Sequence, residues 1–209
     1  MERFIKIPKD FYDSSFDICK EDGIFFQEGV SILVGCNGTG KSTVIKCIKK
    51  ELKQNNIPFI MHDNYHENNK SNIMHTALEK GQFDILSASA MSSEGENIDI
   101  SLGLTLQTIR DFLLNGKSND FSNIFKSIFD DNDTNKELSK ERWILFDAVD
   151  SGYSIDNILT FKEVINIILD DSEKLGVNTF IVIAANSYEM AADLPCIDIW
   201  TGNYIKFNS

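Results

Sequence analysis

The stretch Ser31–Thr43, SILVGCNGTGKST, constrains this chain more than any other. An apolar run is closed by Gly35, and Gly38 and Gly40 follow. Lys41 then opens a segment in which Val44, Ile45, Ile48 and Leu52 recur at helical spacing. A strand that hands over to a helix through such a short glycine-rich loop belongs to an α/β sheet. The spacing Gly35-x-x-x-x-Gly40-Lys41-Ser42 is that of a phosphate-binding loop. Its glycines let backbone N–H groups turn inward around an anion, and the helix N-terminus adds favourable partial charge. The expected nucleotide contacts are Gly35, Asn37, Gly38, Thr39, Gly40, Lys41, Ser42 and Thr43. Lys41 is expected to reach the β- and γ-phosphates, and the Ser42 hydroxyl to bind Mg²⁺.

The rest of the chain alternates in the same manner. RFIKI and SFDICK read as short strands, and IPFIMH, RWILFDAVD and VNTFIVIAA as further strands. Helical patterns run from Lys41 to about Gln54, from about Glu94 to Leu114, and from Ser154 to Lys174. CIDIWTGNYIKF reads as two strands joined at Gly202-Asn203, a hairpin dipeptide. Residues 115–141 form a polar insertion with a short amphipathic piece around Phe121 to Phe129. The expected fold is α/β, with a mostly parallel central sheet and an antiparallel portion, spanning 1–209 as a single domain.

A formal net charge of −12 disfavours a broad, non-specific DNA-binding surface, though not a local basic patch. Cys19, Cys36, Cys47 and Cys196 have no C-x-x-C spacing and no neighbouring histidines, so they read as reduced thiols. No apolar run approaches the ~18 residues of a membrane span. The N-terminus, MERFIKIPKDFYD, is too charged for a signal peptide. A cytoplasmic protein is expected.

Two further places carry chemistry. Asp147 follows the apolar run ILF, where it would serve either as the Mg²⁺ carboxylate or as an acid that merely ends a strand. In SSEGE, Ser93 and Gly95 at a helix start could form an anion site, but Ser93 followed by Glu96 also fits a capping box.

Taken together, these motifs resemble the ABC-type ATPase family. GCNGTGKST looks like its Walker A, and SSEGE is similar to its signature, in the form seen in SMC and RecF-like members. ILFDAVDSGYSID looks like Walker B followed by the D-loop, FIVIAANSYEMA falls at the switch-histidine strand, and DIWTGNYIKF looks like the closing hairpin. The resemblance implies Mg²⁺ and ATP as ligands and a head-to-tail homodimer, with Ser93 and Gly95 facing the nucleotide of the other copy. It further implies Ser42, Asp147 and, at the glutamine-loop position, Asp63 around the metal.

The departures are as informative. Where the family carries a catalytic glutamate this chain has Ala148, and the switch histidine is Asn186. Alanine cannot act as a general base. Asp150 is the nearest carboxylate, either a replacement base or an acid that caps the turn. Slow or partner-dependent hydrolysis is therefore expected, with Asp150 and Asn186 as the catalytic candidates. The interval between Walker A and signature is short for a transporter subunit, and no coiled coil is present. The chain resembles a minimal, soluble head of the kind that works in DNA recombination, repair or genome defence. Its partner would be a nucleic acid or another protein. The alternatives are a transporter's nucleotide-binding subunit and a regulatory module that holds ATP without turnover. Phe11, Tyr12 and Phe16 could stack on adenine, or simply pack.

Overall fold

The computed structural model describes residues 1–7, 23–63, 94–116, 139–151 and 153–206. The strands are β1 (Glu2–Lys6), β2 (Gly23–Gln27), β3 (Gly29–Val34), β4 (Phe59–Asp63), β5 (Glu141–Asp147), β6 (Asn178–Ala184), β7 (Cys196–Asp198) and β8 (Tyr204–Ile205). The helices are α1 (Lys41–Gln54), α2 (Glu94–Asn115), α3 (Ile155–Leu175) and the single turn α4 (Tyr188–Ala191).

Six strands form one sheet in the order β4-β5-β6-β3-β7-β8, parallel except for β8, while β1 and β2 make a separate antiparallel pair. The expected α/β architecture with a mostly parallel sheet and an antiparallel portion is the one observed. β6 and β3 lie in its middle, and every residue of β5, which sits between β4 and β6, is buried. A strand covered on both faces reads as an unbroken apolar run, which is why RWILF carries no alternation.

The period of two still sorts its side chains. Trp143 and Leu145 pack with Leu33, Phe180 and Val182 of the sheet, Ile45 and Ile48 of α1, and Ile24 and Phe26 of β2. Ile144 and Phe146 face the opposite layer, where Ile109 and Phe112 of α2 meet Ile158, Phe161, Val164 and Ile165 of α3. Trp143 stacks on Phe180 with ring centroids 4.5 Å apart, and its indole N–H donates to the buried Glu141 at 2.7 Å. That bond satisfies a polar group which would otherwise cost about 1–3 kcal/mol in the core.

The helix limits have local causes. Ser154 and Asn157 form a reciprocal cap at the start of α3, and the helix stops at Gly176. The α1 helix begins on Gly40, with no side-chain cap and no acid in its first turn.

Sequence expectation and structure differ at β2 and in the closing hairpin. β2 is a strand that the sequence reading did not single out. SFDICK and the amphipathic piece at Phe121–Phe129 lie outside the described residues, as do Phe11, Tyr12 and Phe16. The closing hairpin exists, but residues 199–203 connect β7 to β8, so the Gly202-Asn203 pair ends a longer loop instead of forming a two-residue turn. Asp198 fixes that loop: its carboxylate accepts from Thr201 Oγ1 at 2.9 Å, and its carbonyl from the Gly202 N–H at 2.7 Å.

Candidate functional site

A cleft of about 560 Å³ opens at the carboxyl ends of β3, β5 and β6. This is where open parallel sheets bind ligands, and the size suits a small molecule. The loop after β3 makes one wall. Gly38 and Gly40 sit at φ 82° and 99°, left-handed conformations that a side chain would strain. The Thr39 N–H and Oγ1 both reach the Cys36 carbonyl, at 3.2 and 2.7 Å, and close the loop on itself.

Asn37, Gly38, Gly40, Lys41, Ser42 and Thr43 line the cleft. Gly35 and Thr39 shape the loop without lining it. The N–H groups of Lys41 and Ser42, at the open start of α1, have no partner among the described residues. Orphan N–H groups at an uncapped helix start are anion donors.

Lys41 is 7% exposed, and its ammonium donates to the carbonyls of Gly35 at 2.7 Å and Cys36 at 3.3 Å. Burial lowers its pKa from the usual lysine value, while the charges of Asp150, Cys36 and Asp147 oppose that shift. A desolvated ammonium held by two neutral carbonyls is suited to exchange them for an anion.

Opposite stands the end of β5. The Ser42 hydroxyl donates to Asp147 Oδ1 at 2.8 Å, so hydroxyl and carboxylate already converge. Asp147 is 4% exposed and lines the cleft. Hard oxygen donors of this kind, with phosphate oxygens completing the shell, fit Mg²⁺; that ion needs only one or two protein carboxylates. Among the described residues no cluster of three or more His, Cys, Asp or Glu side chains could hold a metal alone. Asp63 ends β4 in register with Asp147.

Ala148, at the position of the expected general base, is buried at φ 53°, a left-handed residue with a methyl side chain. It lines the cleft together with Ser151, Ala184 and Asn186. Ser151 and Ala184 were not among the sequence candidates; their closeness to Asp147 and Asn186 in the chain was the available signal. Asp150 does not line the cleft. It is 6% exposed, and its Oδ2 accepts the N–H groups of Asn186 at 2.8 Å and Ser187 at 2.6 Å. Gly95 lies in the first turn of α2, and Ser93 lies outside the described residues.

No family model matches the sequence, and no curated protein matches it. Among solved structures, the chain is similar to a KaiC-like protein from the hyperthermophilic archaeon Pyrococcus horikoshii OT3, at 19% identity and a TM-score of 0.34, covering 89% of this chain and 73% of that one. A likeness of that order carries no inference about activity.

Proposed function

We propose that the chain is a nucleotide-binding protein that takes Mg²⁺-ATP in the cleft between the loop after β3 and the end of β5. The observation that carries this reading is the convergence of Lys41, the open N–H groups of α1 and the Ser42–Asp147 pair at 2.8 Å. Lys41 and the N–H groups bind and orient the phosphates. Ser42 and Asp147 hold the metal, with Asp63 at the end of the adjacent strand. Bound Mg²⁺ would neutralise phosphate charge. Asn186 supplies a neutral amide on the far wall.

The finer reading follows the resemblance to ABC-type heads: a cytoplasmic homodimer closed across ATP, with Ser93 and Gly95 against the second copy's nucleotide, in DNA recombination, repair or genome defence. No described helix is long and apolar enough to cross a membrane.

One observation favours a second reading, a module that holds ATP without turnover. Ala148 puts a buried methyl where a base would stand. Steady-state ATPase measurements with and without DNA, with sizing in the presence and absence of Mg²⁺-ATP, test both. ATP-dependent dimers with DNA-stimulated turnover support the first, and binding without turnover the second. A chain that binds no Mg²⁺-ATP refutes both.

A further inference from the structure

The turn after β5 is closed on itself and is hydrogen-bonded to the loop after β6. The Ala148 N–H donates to the Ala184 carbonyl at 3.2 Å, and the Ser151 N–H to the Ala148 carbonyl at 3.1 Å. From this turn the Asp150 carboxylate reaches across to the other loop, and one oxygen takes two consecutive N–H groups, those of Asn186 and Ser187. Both bonds are charge-assisted and short. The second oxygen, Oδ1, is buried and has no partner among the described residues.

That geometry is wrong for a base acting on water in the cleft. Such a base must stand within about 2.6–3.2 Å of the water, directly or through one intervening water. Asp150 has one oxygen committed to backbone and the other sealed from solvent, and it does not line the cleft. What does line the cleft is Asn186, whose backbone Asp150 grips and whose exposed side-chain amide makes no hydrogen bond among the described residues.

We infer that Asp150 is a positioning residue: by clamping the N–H groups of Asn186 and Ser187, it holds the Asn186 amide against the terminal phosphate of bound nucleotide and so lets the site tell a triphosphate from a diphosphate. Two backbone bonds fix where the residue 186 Cα stands, and the turn that supplies them also follows Asp147. Terminal-phosphate recognition and the metal carboxylate are thereby built on one rigid unit. The same carboxylate places a negative charge near Lys41, which helps that buried ammonium stay charged.

The inference rests on the proposed nucleotide site, and the test separates the two. Calorimetry with Mg²⁺-ATP and Mg²⁺-ADP gives the ATP-over-ADP preference of wild type, Asp150→Asn, Asp150→Ala, Asn186→Ala and the double variant Asp150→Ala/Asn186→Ala. An asparagine oxygen can still accept both N–H groups, so Asp150→Asn should keep the preference within about threefold, whereas Asp150→Ala and Asn186→Ala should each lower it about tenfold or more, the scale of one hydrogen bond to a charged group. The double variant should fall no further than Asn186→Ala alone, because both changes remove the same contact.

A wild type that binds neither nucleotide refutes the site itself. A wild type that binds both equally leaves the site standing and overturns the role of Asn186 and Asp150. The inference also falls if Asp150→Asn loses as much as Asp150→Ala, which would mean that the charge acts directly, or if the double variant adds the two losses. Should Asp150→Ala fail to fold, Asp150→Asn and Asp150→Asn/Asn186→Ala decide alone: the first must keep the preference and the second must match Asn186→Ala.

Discussion

Replacing Lys41 by methionine keeps the buried stem and removes only the charged end, so it separates phosphate binding from packing. Without nucleotide the ammonium makes two bonds, to the Gly35 and Cys36 carbonyls. The Cys36 carbonyl keeps the Thr39 N–H and hydroxyl after the change, and only the Gly35 carbonyl loses its partner. That loss, about 1–2 kcal/mol, is offset by relieving a buried charge, so the ligand-free variant should stay within roughly 1 kcal/mol of wild type.

With nucleotide the balance is different. Two charge-assisted bonds to phosphate, at about 1.5 kcal/mol or more each, make a loss near 3 kcal/mol, or roughly 150-fold in affinity. At a ligand concentration about 100 times the wild-type Kd, binding adds ~2.7 kcal/mol to wild-type stability but only ~0.3 kcal/mol to the variant. For a chain of this size, that is an upward shift in melting temperature of roughly 5–10 °C against about 1 °C. Thermal unfolding with and without Mg²⁺-ATP reads both numbers. An undiminished shift in Lys41→Met would refute the phosphate role. A ligand-free melting temperature lowered by more than about 10 °C would mean that the ammonium is a structural group.

Other sites give sharp contrasts. Asp147→Asn keeps an acceptor for Ser42 but loses the metal's carboxylate, so nucleotide affinity should fall about tenfold or more with Mg²⁺ and stay unchanged in chelator, as titration calorimetry would read. At Ala148, φ 53° makes Ala148→Gly close to neutral, since relief of left-handed strain offsets the lost methyl and added chain entropy; Ala148→Val should cost about 2 kcal/mol or more in denaturant unfolding. Burial and the neighbouring Asp150 charge push the Tyr153 phenol up to about 12 from the usual tyrosine value of 10.0. Its folded pKa being the higher, its contribution to stability is whole below pH 10.0 and is lost as pH rises through about 12, so Tyr153→Phe should flatten alkaline destabilisation in that window.

Much of this was legible along the chain wherever the cause is local. The Lys41–Gln54 helix, its glycine loop and the start of α3 at Ser154 depend on neighbours in sequence, and each falls where the pattern puts it. β2 was hidden because Phe25, its outward residue, is apolar and exposed, so GIFFQ lacks the alternation that marks a strand. α4 is one turn, too short for a period to register. The role of Asp150 was beyond the sequence for a different reason. Its carboxylate could be a base, a cap or a clamp, and only the adjacency of β5 and β6 brings it to the Asn186 and Ser187 N–H groups.

The strand order has a consequence for the history of each molecule. β3, which carries the glycine loop, is paired on one side with β6 and on the other with β7, both of which leave the ribosome long after it; Gly29 pairs with Phe180, and Ile32 with Cys196. The β1–β2 ribbon can close early, but the strand that aims the loop has no sheet neighbour until the chain has been made past β6. Contacts so distant in sequence form late and slowly. A nascent chain halted before β6 therefore leaves Ile32 and Leu33 without their sheet partners, and the glycine loop is aimed only at the end of folding.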